Sequence, residues 1–120
     1  MTKEYALHNF FSRWGIKAYY EGSVPDNAKL PYITYSFEIG SIGHPVYVSA
    51  SLWYEGSWTA ITEKTNEISS DLGIGGITVP YDHGLMWVVR GSPFAQRIPD
   101  ENPIIRRIKL NFNIEYMSEV

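Results

Sequence analysis

The chain has 120 residues, 44% hydrophobic and 19% charged, with ten Lys and Arg against thirteen Asp and Glu for a formal net charge of −3. That length predicts a single domain over residues 1–120, able to bury about two-thirds of its unfolded surface. The charge balance argues against a general nucleic-acid binder, which needs clustered cations to displace counterions. The lack of Cys removes disulfides, thiol catalysis and thiolate metal sites.

The first fifteen residues, MTKEYALHNFFSRWG, carry charges at every turn and no small-residue cleavage site, so no signal peptide is expected. No stretch approaches the ~20 apolar residues of a membrane span. Within this segment Leu7, Phe10, Phe11 and Trp14 recur at helical spacing, which predicts an amphipathic helix over residues 3–14. Gly15 ends it, and Ile16 is placed to pack back on its last turn. Residues 16–20 read as a short extended piece, and residues 21–28 as a polar loop with turn formers.

Ile33, Tyr35, Phe37 and Ile39 alternate with polar residues, the period of a half-buried strand. Residues 40–43 (GSIG) make a turn. Val46, Val48, Ala50, Leu52 and Tyr54 then form a second strand of the same kind. After Gly56 the period changes: Trp58, Ile61, Thr65, Ile68 and Leu72 mark one face of a helix, with Ser57 or Thr59 as its cap and Gly73 just past its end.

Residues 77–79 predict a short strand stopped by Pro80, followed by a turn over residues 81–84. Residues 85–90 (LMWVVR) are apolar almost throughout, which implies burial on both faces or a face covered by a partner. Residues 91–103 (GSPFAQRIPDENP) hold three prolines and read as one long loop. The last strand is the longest: Ile108, Leu110, Phe112, Ile114 and Tyr116 alternate with Arg107, Lys109, Asn111, Asn113 and Glu115. The order predicts an α+β fold, a mainly antiparallel sheet of about four to five strands with two helices on one face.

Chemistry is sparse. His8, His44 and His83 stand alone, without the spacing of a metal site. Asp82-His83 falls in a turn, where both residue types serve conformation. Gly73-Ile74-Gly75-Gly76 follows a helix and precedes a strand, the reverse of a phosphate-binding loop. Asp100-Glu101 is an acidic pair in a proline-rich loop, and no GxSxG elbow occurs. No catalytic, cofactor-binding or metal-binding residue is therefore expected, and the chain is read as non-enzymatic. Arg106, Arg107 and Lys109 form the basic cluster, either a solvated sheet face or a strip that meets an acidic neighbouring subunit.

Aromatics reach 15%, with nine Tyr and four Trp, more than a core of this size requires. Tyr and Trp enrichment marks interface cores, although β-rich domains also favour aromatics.

The element order, the aromatic end of the first helix (Phe10, Phe11, Trp14), the segment Leu30-Pro31-Tyr32-Ile33-Thr34-Tyr35, the strand leading to Trp58 and the helix ending Ile68-Ser69-Ser70-Asp71-Leu72-Gly73 carry a resemblance. Together they resemble the small tail-completion, or tail-terminator, proteins of long-tailed bacteriophages and prophages. The resemblance implies a virion structural protein that assembles in the bacterial cytoplasm as a ring homo-oligomer, a hexamer. The ring would sit at the head-proximal end of the tail, stop tail-tube growth and meet the tail-tube and head-completion proteins. It also implies that residues 91–103 and the glycine-rich stretch reach a neighbour, the tube or the lumen. DNA would pass through without sequence-specific binding, and no membrane or cofactor is involved. The alternatives are a minor capsid or neck adaptor, a tail-tube subunit, or, in a different class, a small-ligand or carbohydrate-binding module that stacks sugars on Trp53, Trp58 or Trp87.

Overall fold

The computed structural model describes residues 2–38 and 44–118. Thr2 accepts a hydrogen bond from the Tyr5 amide and so caps α1 (Lys3–Phe11). The helix is shorter than its apolar stripe predicts, because the Ser12 hydroxyl donates to the His8 carbonyl and the chain turns. Trp14 nevertheless stays buried, and Gly15 supplies the left-handed φ of +82° that releases the chain into β1 (Lys17–Tyr20).

After the loop come β2 (Tyr32–Tyr35) and β3 (Val46–Glu55). The expected contribution of Ile39 and the turn over residues 40–43 lie outside the described residues. Ser57, one of the two expected caps, caps α2 (Trp58–Leu72), which runs from the first to the last residue of the predicted stripe. Its buried Ile61, Thr65, Ile68 and Leu72 face the sheet, and burying each aliphatic side chain stabilises the fold by roughly 1.5–3 kcal/mol. The chain ends with β4 (Ile77–Tyr81), β5 (Gly84–Ile98) and β6 (Ile105–Ser118).

The sheet order is β1-β2-β3-β6-β5-β4. The α+β class with two helices on one face therefore holds, but the sheet has six strands rather than four to five. It is mixed, because β1 runs parallel to β2 while the other neighbours are antiparallel. The long alternating strand β6 lies inside the sheet, between β3 and β5.

Two expectations are corrected. Pro80 does not stop β4; it sits within it, and this is possible because β4 is an edge strand where a missing N–H leaves no ladder bond unmade. Residues 91–103 are not one loop. β5 continues to Ile98, and a bulge between Arg90 and Ala95 absorbs Ser92 and Pro93 before pairing resumes with Leu110, Lys109, Ile108 and Arg107. Only the short segment 99–104 connects β5 to β6.

Register explains the core. Ile33, Leu52 and Ile108 share one row across the sheet, and Tyr35, Ala50 and Leu110 the next. Val48 with Phe112, Ile114 with Val88 and Tyr116 with Met86 complete the same face. All of these are buried beneath the helices. Phe112 is the hub: Phe10, Phe11 and Phe94 meet its ring edge-on at centroid distances of 5.9, 5.3 and 5.5 Å. The two helices are tied together at the rim, where the Lys64 ammonium donates to the Trp14 carbonyl and the Trp14 indole donates to Asp71. Arg13 adds an ion pair to the same carboxylate.

Candidate functional site

The strand residues alternate with the core-facing set, so register also defines the opposite, helix-free face. On it Tyr32, Trp53 and Arg107 fall in line across β2, β3 and β6, and Tyr19 of β1, opposite Thr34, lies diagonally beside Tyr32. Tyr19 meets Tyr32 edge-on at 5.6 Å, Tyr32 lies 6.5 Å from Trp53, and the Arg107 guanidinium stands 4.7 Å over the Trp53 ring. The row is held from below. The Trp53 indole donates to the Thr34 hydroxyl and Arg107 Nε to the Ser51 hydroxyl, and both hydroxyl residues are buried although they point away from the core. A hydrogen bond for each small polar group is what permits that burial.

Further along this face, Tyr47 on β3 is 72% exposed and Trp87 on β5 is 38% exposed. Between them Asn113 and Glu115 of β6 form the floor of an open groove of about 360 Å³, lined also by Pro45 and Val89. Trp87 is fixed in place: its indole donates to the Gly75 carbonyl at 2.8 Å. The loop that offers that carbonyl needs glycine at position 76, where φ is +76° and an added Cβ would come 2.3 Å from the Val88 carbonyl oxygen. Ile74 beside it is 95% exposed.

The basic cluster divides between the two faces. Arg107 and Lys109 lie on the open side, as alternation predicts, but three nearby arginines clamp α2 on the other. Arg97 and Arg106 sit 4.5 and 5.3 Å over the Trp58 ring, and Arg90 donates to Ser69 at 2.8 Å. Of the three Trp singled out as stacking platforms, Trp58 and Trp53 are thus already covered by guanidinium groups, and Trp87 presents an open ring.

The histidines are far apart in role. His8 Nδ1 shares a hydrogen bond with the Tyr35 hydroxyl at 3.0 Å, His44 is exposed ahead of β3, and His83 occupies the two-residue hairpin turn between β4 and β5 with a left-handed φ of +72°. Asp100 accepts from the Asn102 amide and shapes the 99–104 turn, with Glu101 exposed beside it. Among the described residues no group of three or more His, Asp or Glu is placed to hold a metal ion, and no helix is long and apolar enough to cross a membrane.

Three tyrosine hydroxyls are held neutral to unusually high pH. Burial pushes Tyr116 up from 10.0 to about 12, with Tyr81 and Glu38 adding to the effect. Its hydroxyl donates to the Glu38 carbonyl at 2.9 Å. Tyr35 and Tyr54 are raised mainly by burial, with smaller contributions from Glu4 and Glu67.

The open face therefore carries the chain's aligned aromatic and cationic side chains. Its components were visible in the sequence as surplus Tyr and Trp and as the wet side of the last strand, but their alignment depends on strand order, which no local pattern encodes. Compared with protein families, curated proteins and solved structures, the chain has no significant match.

Proposed function

We propose that this chain is a non-enzymatic virion subunit of the phage tail-terminator kind. Copies close into a ring, a hexamer, at the head-proximal end of a long tail, where the ring ends tube growth and joins tail to head. Its partners on this reading are other copies of itself, the tail-tube protein and a head-completion protein.

The observation that carries the proposal is the two-layer construction, in which the helices cover one sheet face and the other holds a row of rings and a guanidinium with no covering element among the described residues. Large aromatic side chains and Arg are the residues enriched where one protein surface meets another. Among the described residues the sheet also ends in two unpaired edges, β1 and β4, one of them blunted by Pro80. Contact between unlike surfaces of neighbouring copies generates a ring when the rotation closes and a filament when it does not.

Negative-stain imaging of the purified protein with isolated tail tubes tests this. Discrete rings at one tube end agree with a terminator. Self-polymerised filaments favour a tail-tube subunit instead, and binding to the head alone favours a neck adaptor. The aromatic row also favours a second reading, a carbohydrate-binding module. A shift in Trp fluorescence on titration with a glycan panel would support that reading, and no shift with any glycan would remove it.

A further inference from the structure

We infer that the groove between Tyr47 and Trp87 is a binding site for a basic side chain, arginine foremost, presented by a partner protein. The site stands apart from the Tyr19–Arg107 row and does not depend on whether the chain forms rings.

Three features converge there. Two aromatic rings flank the groove from β3 and β5, strands separated by β6 and hence roughly 10 Å apart. That gap accepts a flat cation against a ring face. The floor carries Glu115, which forms no hydrogen bond or ion pair with any described residue, beside Asn113. A carboxylate with no cation partner among the described residues, set between two aromatic side chains, is complementary to a guanidinium in both charge and chemistry. Elsewhere in this fold the chain itself uses the same pairing, with guanidinium groups seated on Trp53 and Trp58. The Trp87 ring has no such partner among the described residues, although its indole is anchored to Gly75 and so preorganised.

The surroundings point to a protein rather than a free small molecule as the source of that cation. Trp87 and Val89 continue into a second shallow surface that includes Ile74 and Phe94. Ile74 is almost fully exposed, an apolar rim that a side chain alone would leave uncovered but a polypeptide segment would bury.

The experiment is an NMR titration of the full-length 15N-labelled protein, read at the indole N–H signals of its four Trp. The probe is acetyl-Gly-Arg-Gly-amide, and its neutral counterpart carries citrulline, of the same shape, in place of arginine. The Trp87 signal, assigned through Trp87→Phe, is expected to shift saturably with the arginine peptide and to stay in place with the citrulline peptide. The Trp14 signal, tied to Asp71, serves as the internal reference. Glu115→Gln, a neutral change on the solvent face, is expected to weaken binding by about threefold, and Tyr47→Ala to weaken it as well. Equal shifts with both peptides, no shift with either, or full affinity in Glu115→Gln would overturn the assignment. A Trp87 signal that moves with protein concentration in the absence of peptide would overturn the choice of partner, because the occupant would then be a second copy.

Discussion

Truncating Phe112 to alanine is the sharpest perturbation of this fold. The side chain is fully buried, and three phenylalanines, two from α1 and one from the β5 bulge, meet it. Removing a buried phenyl ring costs the lost transfer free energy plus a cavity, about 3–5 kcal/mol. With a urea slope of about 1.5–2 kcal/mol per molar, that moves the unfolding midpoint down by roughly 2 M. Phe112→Leu, which keeps most of the volume, is expected to cost less than about 1.5 kcal/mol. Phe94→Ala belongs to the same measurement, because Phe94 lies within the bulge, in a segment rich in loop-forming residues. If residues 91–98 formed a surface loop, losing that ring would change stability by no more than about 0.5 kcal/mol. As a half-buried neighbour of Phe112 it is expected to cost about 1–2 kcal/mol, part of the loss for a fully buried ring. Equilibrium urea unfolding followed by Trp fluorescence and circular dichroism reads all three variants. A midpoint unchanged in Phe112→Ala would refute the packing account, and an unchanged midpoint in Phe94→Ala would refute the continuation of β5.

Alkaline pH supplies a second prediction. Tyr116 holds its proton more tightly folded, near 12, than its ordinary 10.0, so its contribution is complete below pH 10 and is lost as pH rises towards 12. The loss amounts to about 2–3 kcal/mol. Tyr116→Phe, although less stable at neutral pH for want of its hydrogen bond, is expected to show a shallower decline across that window; an identical slope would contradict the assignment. His83→Gly relieves a left-handed backbone at the β4–β5 turn and is expected to raise stability by about 0.5–1 kcal/mol in thermal unfolding; a drop would show that the imidazole makes a contact worth more than the strain. Gly76→Ala, which drives a Cβ against the Val88 carbonyl, is expected to lower the melting temperature and shift the Trp87 indole resonance together. Loss of one without the other would separate that loop from the groove.

The parts of the fold legible in the sequence are those whose pattern is local and repeated. α2 shows its stripe at every turn and carries a cap at each end, and β6 alternates without interruption, so both were readable. The rest depended on neighbours. Pro80 looks like a strand stop unless β4 is known to lie at an edge, and Pro93 looks like a loop unless a bulge is there to hold it. The parallel pairing of β1 with β2 leaves no trace in four-residue segments. The same holds for the candidate site. Alternation puts Arg107 and Lys109 on one face and Arg106 on the other, whereas nothing in the sequence pairs Arg106 and Arg97 with Trp58. The Tyr47–Trp87 groove joins residues from β3, β5 and β6 that only the sheet order brings together.

Native mass spectrometry across a concentration series addresses the central proposal most directly. A ring-forming terminator predicts one closed oligomer whose mass stays fixed as protein concentration rises. An open-ended distribution of ever larger species would contradict closure and point to a tube subunit. A monomer at every concentration, both alone and mixed with isolated tail tubes, would contradict the assembly role itself.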